Sequence, residues 1–237
     1  MPGRYAVAVT DIETGETVGV NGVRPQLAGC SINYFLLLQV TRDLQAGRYA
    51  LADVDALVRT TTWSSNATTA LQLYRIVGGG DALAGVARVD TLIREELVLS
   101  NTVLNHPPAF ADAINLRGGD NWLSANDANA ALASLWRGDD LAPEWRSYLL
   151  DRLSMVEPGL NYLTGSVADA VVHHKNGFFW YPGGYVDNDI GIVRLAHGER
   201  EIVFAISFLS EEVPTRYGDV ALARELIQLA VSHFLGR

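Results

Sequence analysis

The sequence predicts an α+β fold: one antiparallel sheet built from both ends of the chain and flanked by helices, with a helical subdomain beside it. Strand-like segments lie near the two termini, helical patterns fill the middle, and an amphipathic segment, "YGDVALARELIQLAVSHFLG", closes the chain. Strands from both ends that share one sheet would let the last helix cover one face. We therefore expect a single domain, residues 1–237, with a sheet subdomain (1–29 and 166–237) and a helical subdomain (30–165).

The first strands should form a hairpin. The opening "RYAVAVTDIETGETVGVNG" predicts a strand over residues 5–10, a turn at Glu13-Thr14-Gly15 and a return strand over residues 17–20. The next element, residues 31–46, is too apolar all round for a surface helix and should be buried, ending near Gly47.

Five more helices are predicted before the late strands, over residues 53–61, 66–77, 81–95, 124–137 and 143–155. Ser124 followed by Asp127 resembles a capping box. Residues 98–123 form a long, poorly periodic connection, a type of loop that is usually functional or disordered. After residue 166, "ADAVVHHKNGFFWY", "NDIGIVRLA" and "REIVFAISFL" predict three strands joined by short turns.

Composition excludes several classes of function. A net charge of −9 argues against nucleic-acid binding, because phosphates need basic patches. One cysteine cannot form an internal disulfide. No apolar run reaches the length of a membrane span, and the first strand leaves no room for a leader, so we expect a cytoplasmic protein unless a leader has been removed. We expect no cofactor.

Lysine is used once. The 18 basic residues are 17 arginines and Lys175. Arginine can supply a surface charge, but it does not easily replace a lysine that must release a proton or act as a compact charge. A functional role for Lys175 is therefore favoured, with a solvated charge near a strand end as the alternative.

Three short motifs carry a resemblance to a known family. They are "CSIN" at residues 30–33, "SSN" at 64–66 and "KNG" at 175–177. Their order, their spacing and their flanks resemble the Ser-x-x-Lys, Ser-Asp-Asn and Lys-Thr-Gly motifs of the class A β-lactamase and penicillin-binding-protein superfamily. The resemblance covers nearly the whole chain and implies that family's fold, with a divergent active site.

The departures from the family pattern bear directly on chemistry. Cys30 takes the position of the nucleophilic serine, Asn33 that of the motif lysine, Ser65 that of the aspartate and Asn176 that of the threonine. The loop that carries a deacylating glutamate in the family should lie within residues 98–123, which contain no glutamate. Ordinary β-lactamase turnover is therefore not expected.

Cys30 is the candidate nucleophile. The resemblance places it at the N-terminus of the buried helix, where the helix dipole and a nearby ammonium favour thiolate. The alternative is an unreactive thiol that packs as a small apolar side chain in a site without catalytic activity. A shift of one residue would make Ser31 the nucleophile and put Tyr34 in place of the lysine; otherwise Ser31 satisfies groups of the first helical turn.

The resemblance implies roles for further residues. Ser64 and Lys175 join Cys30 as catalytic candidates, with Ser64 relaying a proton between substrate and Lys175; helix capping is the alternative for Ser64. Substrate-binding positions are implied at Asn33, Asn66, Asn176 and Gly177, with helix capping again the alternative for Asn66.

Other polar and aromatic residues are weaker candidates. His106 is either an exposed loop histidine or, with Asn105, a replacement for the missing base. His173 and His174 should point to opposite faces of a strand, so no metal site is predicted there. The aromatic run at residues 178–181 should pack on the sheet or line an apolar pocket. Two acidic residues, Asp187 and Asp189, are interpreted as part of a solvated turn rather than as metal ligands.

Three functions remain open. The first is a repurposed cytoplasmic hydrolase, acyl transferase or small-molecule biosynthetic enzyme. The second is a ligand-binding pseudoenzyme of the same fold, and the third is a structural or partner-binding domain. The expected partner is a small molecule that is anionic or contains a carbonyl group, not a nucleic acid or a membrane, and a homodimer is left open.

Overall fold

The computed structural model describes residues 3–160 and 164–236. Five antiparallel strands form the main sheet in the order β2-β1-β7-β6-β5. They are β1 (Arg4–Asp11), β2 (Thr17–Val20), β5 (Val171–Tyr181), β6 (Gly184–His197) and β7 (Arg200–Glu211). Two short strands, β3 (Gln26–Leu27) and β4 (Trp122–Leu123), pair separately. The predicted α+β fold with one sheet from both termini is confirmed, and the subdomain boundaries stay a prediction.

The helices follow the predicted order, with ends shifted by a few residues. They are α1 (Asn33–Gln45), α2 (Leu51–Ser64), α3 (Ala67–Val77), α4 (Ala82–Thr91), α5 (Ala125–Arg137), α6 (Pro143–Ser154) and α7 (Val220–Leu235). A π-helical turn, Leu92–Glu96, continues α4. Among the described residues, no helix has both the length and the apolar character that a membrane crossing needs.

The sheet separates two cores. Val9, Phe204 and Ile206 pack with α7 on one face. Ala8 and Ile192 belong to the larger core on the other face, together with the helices α1 to α6. This split follows from the alternation of side chains along each strand.

Helix α1 is buried, as its apolar run predicted. Its residues Tyr34, Phe35, Leu36, Leu37 and Leu38 are all 0% exposed. A short 3₁₀ turn, Gly29–Ile32, precedes the helix, so the regular α-helix begins at Asn33. The chain enters that turn through a positive φ of 53° at Gly29, a conformation that glycine adopts at low cost.

Edge strand β5 packs directly on this turn. A Cβ placed on Gly177 would lie 2.9 Å from the nitrogen of Cys30 and 2.5 Å from that of Ser31. Only a residue without a side chain allows this approach, so Gly177 sets the spacing between the strand and the start of α1.

Residues 98–123 have little regular structure but are tethered by side chains. Arg117 binds the buried carboxylate of Asp90 through two contacts of 2.7 and 2.8 Å. Ser124 caps α5 by accepting the Asp127 N–H, as predicted. The Asp127 carboxylate accepts hydrogen bonds from residues at the start of the loop rather than from the cap: the Asn101 N–H and the Thr102 hydroxyl, both at 2.8 Å.

Candidate active site

Cys30 lies in the 3₁₀ turn and lines a cavity of about 340 Å³. The thiol is free and its residue is partly exposed. One wall of the cavity is β5, through Phe178, Phe179 and Trp180, and the other is the loop of residues 98–123. The lone cysteine therefore faces a space large enough for a small molecule.

Lys175 lies on β5 behind the cavity wall and is 0% exposed. Its Nζ donates hydrogen bonds to the Ser65 hydroxyl and, at 2.8 Å, to the carbonyl oxygen of Asn176. Burial lowers the pKa of Lys175 to about 8, while the negative charges of the Cys30 thiolate and Asp189 act in the opposite direction. A neutral amine is therefore accessible near physiological pH.

Burial also dominates the acidity of Cys30. It raises the pKa of the Cys30 thiol, and the Lys175 ammonium only partly offsets this. Lys175 acts in the predicted direction, but the cost of desolvating a thiolate is larger. The resting side chain at neutral pH is the thiol.

The serine in contact with Lys175 is Ser65, whereas the prediction placed Ser64 there. Helix α2 ends at Ser64, whose exposed hydroxyl donates to Thr60 O on its own helix at 3.3 Å. Ser65 follows in a left-handed conformation with φ of 52°, which turns its side chain toward β5. Its hydroxyl donates to Asn176 Oδ1 at 2.9 Å.

Asn66 and Asn176 have structural partners. Asn66 is exposed and caps α3, because its Oδ1 accepts the Thr69 N–H at 3.0 Å. Asn176 is 2% exposed, and both of its oxygens face the Lys175–Ser65 pair. These contacts favour the capping interpretation of Asn66 and place Asn176 as a support for Lys175.

Ser31, within the turn, and Asn33, the first residue of α1, are shielded from solvent. Both are 0% exposed. Asn33 Oδ1 accepts a 3.4 Å hydrogen bond from the hydroxyl of Tyr74, whose pKa is raised by burial and by the nearby Cys30 charge. Ser31 donates to Ala28 O. Of residues 30 and 31, Cys30 is the one that lines the cavity.

His106 lines the cavity from the loop and is 7% exposed. The alternative of an exposed loop histidine is therefore wrong. Its Nδ1 lies 3.0 Å from Pro107 O, and its Nε2 lies 3.8 Å from Asp120 Oδ1. Asn121 holds this segment through hydrogen bonds to the backbone of Asn105 and His106, a contact that no periodic pattern in the loop predicts.

The remaining titratable candidates are structural. His173 and His174 point to opposite faces, as predicted, toward Leu150 O at 2.9 Å and Asp189 Oδ1 at 2.7 Å. The solvated turn predicted for Asp187 and Asp189 is wrong, because β6 begins at Gly184 and both aspartates are 0% exposed within it. Within residues 3–160 and 164–236, no group of three or more acidic, histidine or cysteine side chains is arranged to hold a metal ion.

Comparisons with known proteins agree with this architecture. A family profile described as beta-lactamase enzyme family matches residues 53–234. A beta-lactamase from Chitinophaga pinensis is 21% identical, with 97% of this chain and 94% of that chain covered and a TM-score of 0.80. No curated protein sequence matches.

Two further solved structures have the same fold. PBP-A is 18% identical, with 100% of this chain and 91% of that chain covered and a TM-score of 0.81. An ancestral class A beta-lactamase is 22% identical, with 98% and 95% covered and a TM-score of 0.79. At these identities, the structural likeness establishes the fold.

Proposed function

The chain belongs to the beta-lactamase enzyme family, as its motifs predicted, and on that premise we propose that it is a thiol-dependent acyl hydrolase or acyl transferase. One observation supports this most strongly. Cys30 lines a cavity of about 340 Å³ and interacts electrostatically with Lys175, a buried amine with a lowered pKa. Pairs of titratable groups with shifted pKa values beside a cavity are typical of catalytic sites.

The proposed first step is acyl transfer to sulfur. The neutral amine of Lys175 takes the Cys30 thiol proton, either directly or through the Ser65 hydroxyl that it contacts. The sulfur attacks the substrate carbonyl carbon, and the bond to the leaving group breaks. The leaving group departs with the proton from the Lys175 ammonium, which leaves a thioester on Cys30 and a neutral amine.

The cavity favours a substrate with an apolar or aromatic acyl group. Phe178, Phe179 and Trp180 line one side, and Pro108 lies on the other. Lys175 is fully buried and directs its Nζ at Ser65 and Asn176. A carbonyl substrate is therefore favoured over one that is recognised mainly by its negative charge.

The proposed activity differs from ordinary β-lactam hydrolysis. Asn33 stands where the family motif has a lysine, and residues 98–123 contain no glutamate. One similar structure, a PBP-A mutant, is an acyl-enzyme complex with penicillin G. Penicillin G is therefore a useful second probe, and we expect it to be a poor substrate of this protein.

The test is burst kinetics with p-nitrophenyl phenylacetate, an activated ester with an aromatic acyl group. The native protein should release p-nitrophenolate in a burst that is stoichiometric with the chain, and Cys30→Ala should abolish the burst. Cys30→Ser replaces the thiol with a hydroxyl of similar size but should also lose the burst, because an alcohol needs a stronger base than a thiol does. A burst that persists in Cys30→Ala would refute the proposal.

A ligand-binding pseudoenzyme is the second candidate. It is favoured by the raised pKa of Cys30, which keeps the thiol protonated at neutral pH. A binder would retain phenylacetamide, an unreactive relative of the ester, in equilibrium dialysis with equal affinity in native protein and Cys30→Ala. It would give no burst with the ester.

A further inference from the structure

We propose that His106 is the general base that releases the acyl group from Cys30. This inference rests on the proposed function, because it concerns the thioester formed there. His106 and Cys30 line the same cavity, His106 from the loop and Cys30 from the turn before α1. A group that enters the cavity to attack the thioester would meet the imidazole from the side opposite to β5.

The hydrogen bonds of the ring assign its tautomer. Nδ1 lies 3.0 Å from the carbonyl oxygen of Pro107. A carbonyl oxygen can only accept, so the proton of the neutral ring is on Nδ1 and the lone pair is on Nε2. Nε2 is buried and has no hydrogen-bond partner within the described part of the chain. The basic nitrogen thus makes no hydrogen bond within the described structure, and it belongs to a residue that lines the cavity.

Asn121, which also lines the cavity, holds the backbone from which the His106 ring extends. Asn121 Oδ1 accepts the N–H groups of Asn105 at 2.8 Å and His106 at 3.2 Å, and Nδ2 donates to His106 O at 2.9 Å. Asp120 Oδ1 lies 3.8 Å from Nε2, beyond hydrogen-bond distance, and the Asp120 side chain is 62% exposed.

The proposed step balances in atoms and charge. His106 Nε2 takes a proton from water, or from an acceptor alcohol or amine, as its oxygen or nitrogen attacks the thioester carbonyl carbon. The carbon–sulfur bond then breaks, and the sulfur leaves with the proton that the imidazolium returns. With water, the products are a carboxylic acid and the free Cys30 thiol.

The experiment separates formation of the thioester from its release. Protein is mixed with p-nitrophenyl phenylacetate, excess ester is removed, and intact mass spectrometry follows the acyl adduct over time. His106→Asn keeps an amide nitrogen near the position of Nδ1, where it can still donate to Pro107 O, but it has no basic nitrogen. His106→Gln places an uncharged amide near the position of Nε2.

Both variants should form the adduct and release it about 100-fold more slowly than the native protein. The matched control is His173→Asn. His173 also directs Nδ1 at a backbone carbonyl and has a buried Nε2 without a partner among the described residues, but it packs against α6. This control should release the acyl group at the native rate.

The outcomes distinguish the two proposals. If both His106 variants form the adduct and release it at the native rate, the role of His106 is refuted and the acyl-transfer function stands. If the native protein forms no adduct at Cys30, both the acyl-transfer function and the role of His106 are refuted. Adduct formation in a variant also shows that its cavity is folded.

Discussion

The two sides of Cys30 present different kinds of base. On the strand side, Lys175 is 0% exposed and its Nζ hydrogen-bonds Ser65 and Asn176. On the loop side, His106 is almost as deeply buried but lines the cavity, and its Nε2 has no hydrogen-bond partner in the described structure. The two proposals assign the amine a proton exchange with the thiol, and the imidazole a proton exchange with a ligand.

The two sides are also held by different means. The strand side takes its geometry from the sheet, since β5 is paired to β6 along its whole length and fixes Lys175 and Asn176. Among the described residues, the loop side has only one isolated backbone bridge, between Val103 and Trp122, and otherwise depends on individual contacts such as those of Asn121. A substitution should therefore disturb the loop more than the strand.

Asn121→Ala should have the largest effect. It removes the partner of two backbone N–H groups and one carbonyl within the buried start of the loop. We expect a loss of about 2–3 kcal/mol in the free energy of unfolding, measured by urea denaturation. Asn115→Ala is the control, because Asn115 makes two hydrogen bonds in the exposed part of the same loop and should cost less than about 1 kcal/mol. Equal losses would mean that Asn121 has no special role in holding the loop.

Lys175→Met should reduce the reactivity of Cys30. The Lys175 ammonium lowers the pKa of the thiol, and methionine fills a similar volume without charge. Alkylation of the native fold by iodoacetamide at pH 8 should be about 10-fold slower in the variant. In urea the two proteins should react at the same rate. An unchanged rate in the native fold would show that Lys175 does not affect the reactivity of Cys30.

Lys175→Met should also weaken the pH dependence of the free energy of unfolding. Because burial lowers the pKa of Lys175 from 10.5 to about 8, the unfolded chain binds more protons than the folded chain between these values. Stability should therefore increase with pH in that window. From pH 8 to pH 9, the free energy of unfolding should rise about 1 kcal/mol more in the native protein than in Lys175→Met. Parallel pH profiles would show that the lysine is not desolvated.

The smallest effect is expected for Ser65→Ala, and its control is the neighbouring substitution Ser64→Ala. Ser65→Ala removes a hydroxyl that accepts from Lys175, which disfavours the ammonium and should slow Cys30 alkylation at pH 8 by about 3-fold. Ser64→Ala removes an exposed hydroxyl bonded only to its own helix among the described contacts, and should leave the rate unchanged. The reverse pattern would support Ser64 as the serine that relays a proton to Lys175.

The elements could largely be predicted from the sequence because their patterns are local. The hairpin, the buried helix α1 and the three late strands follow from side-chain alternation and apolar runs. The solvated turn predicted for Asp187 and Asp189 is wrong because acidic residues are rare in buried strands. Here Asp189 is satisfied by partners distant in sequence, His174 and Thr164.

The candidate site could be predicted only in part. Motif order brought Cys30 and Lys175 together, but "SSN" did not reveal which serine faces the lysine, because that depends on where α2 ends. The burial of His106 depends on Asn121, fifteen positions later in an aperiodic loop. Neither the raised pKa of Cys30 nor the lowered pKa of Lys175 could be derived without knowing the depth of burial.

The most direct test of the central claim is to locate the acyl group. Native protein treated with p-nitrophenyl phenylacetate would be quenched in acid, digested and mapped by tandem mass spectrometry. The account predicts a single phenylacetyl group, carried as a thioester on Cys30 and missing from the Lys175→Met sample quenched at the same early time. An acyl group on any other residue, or none on Cys30 in the native protein, would contradict it.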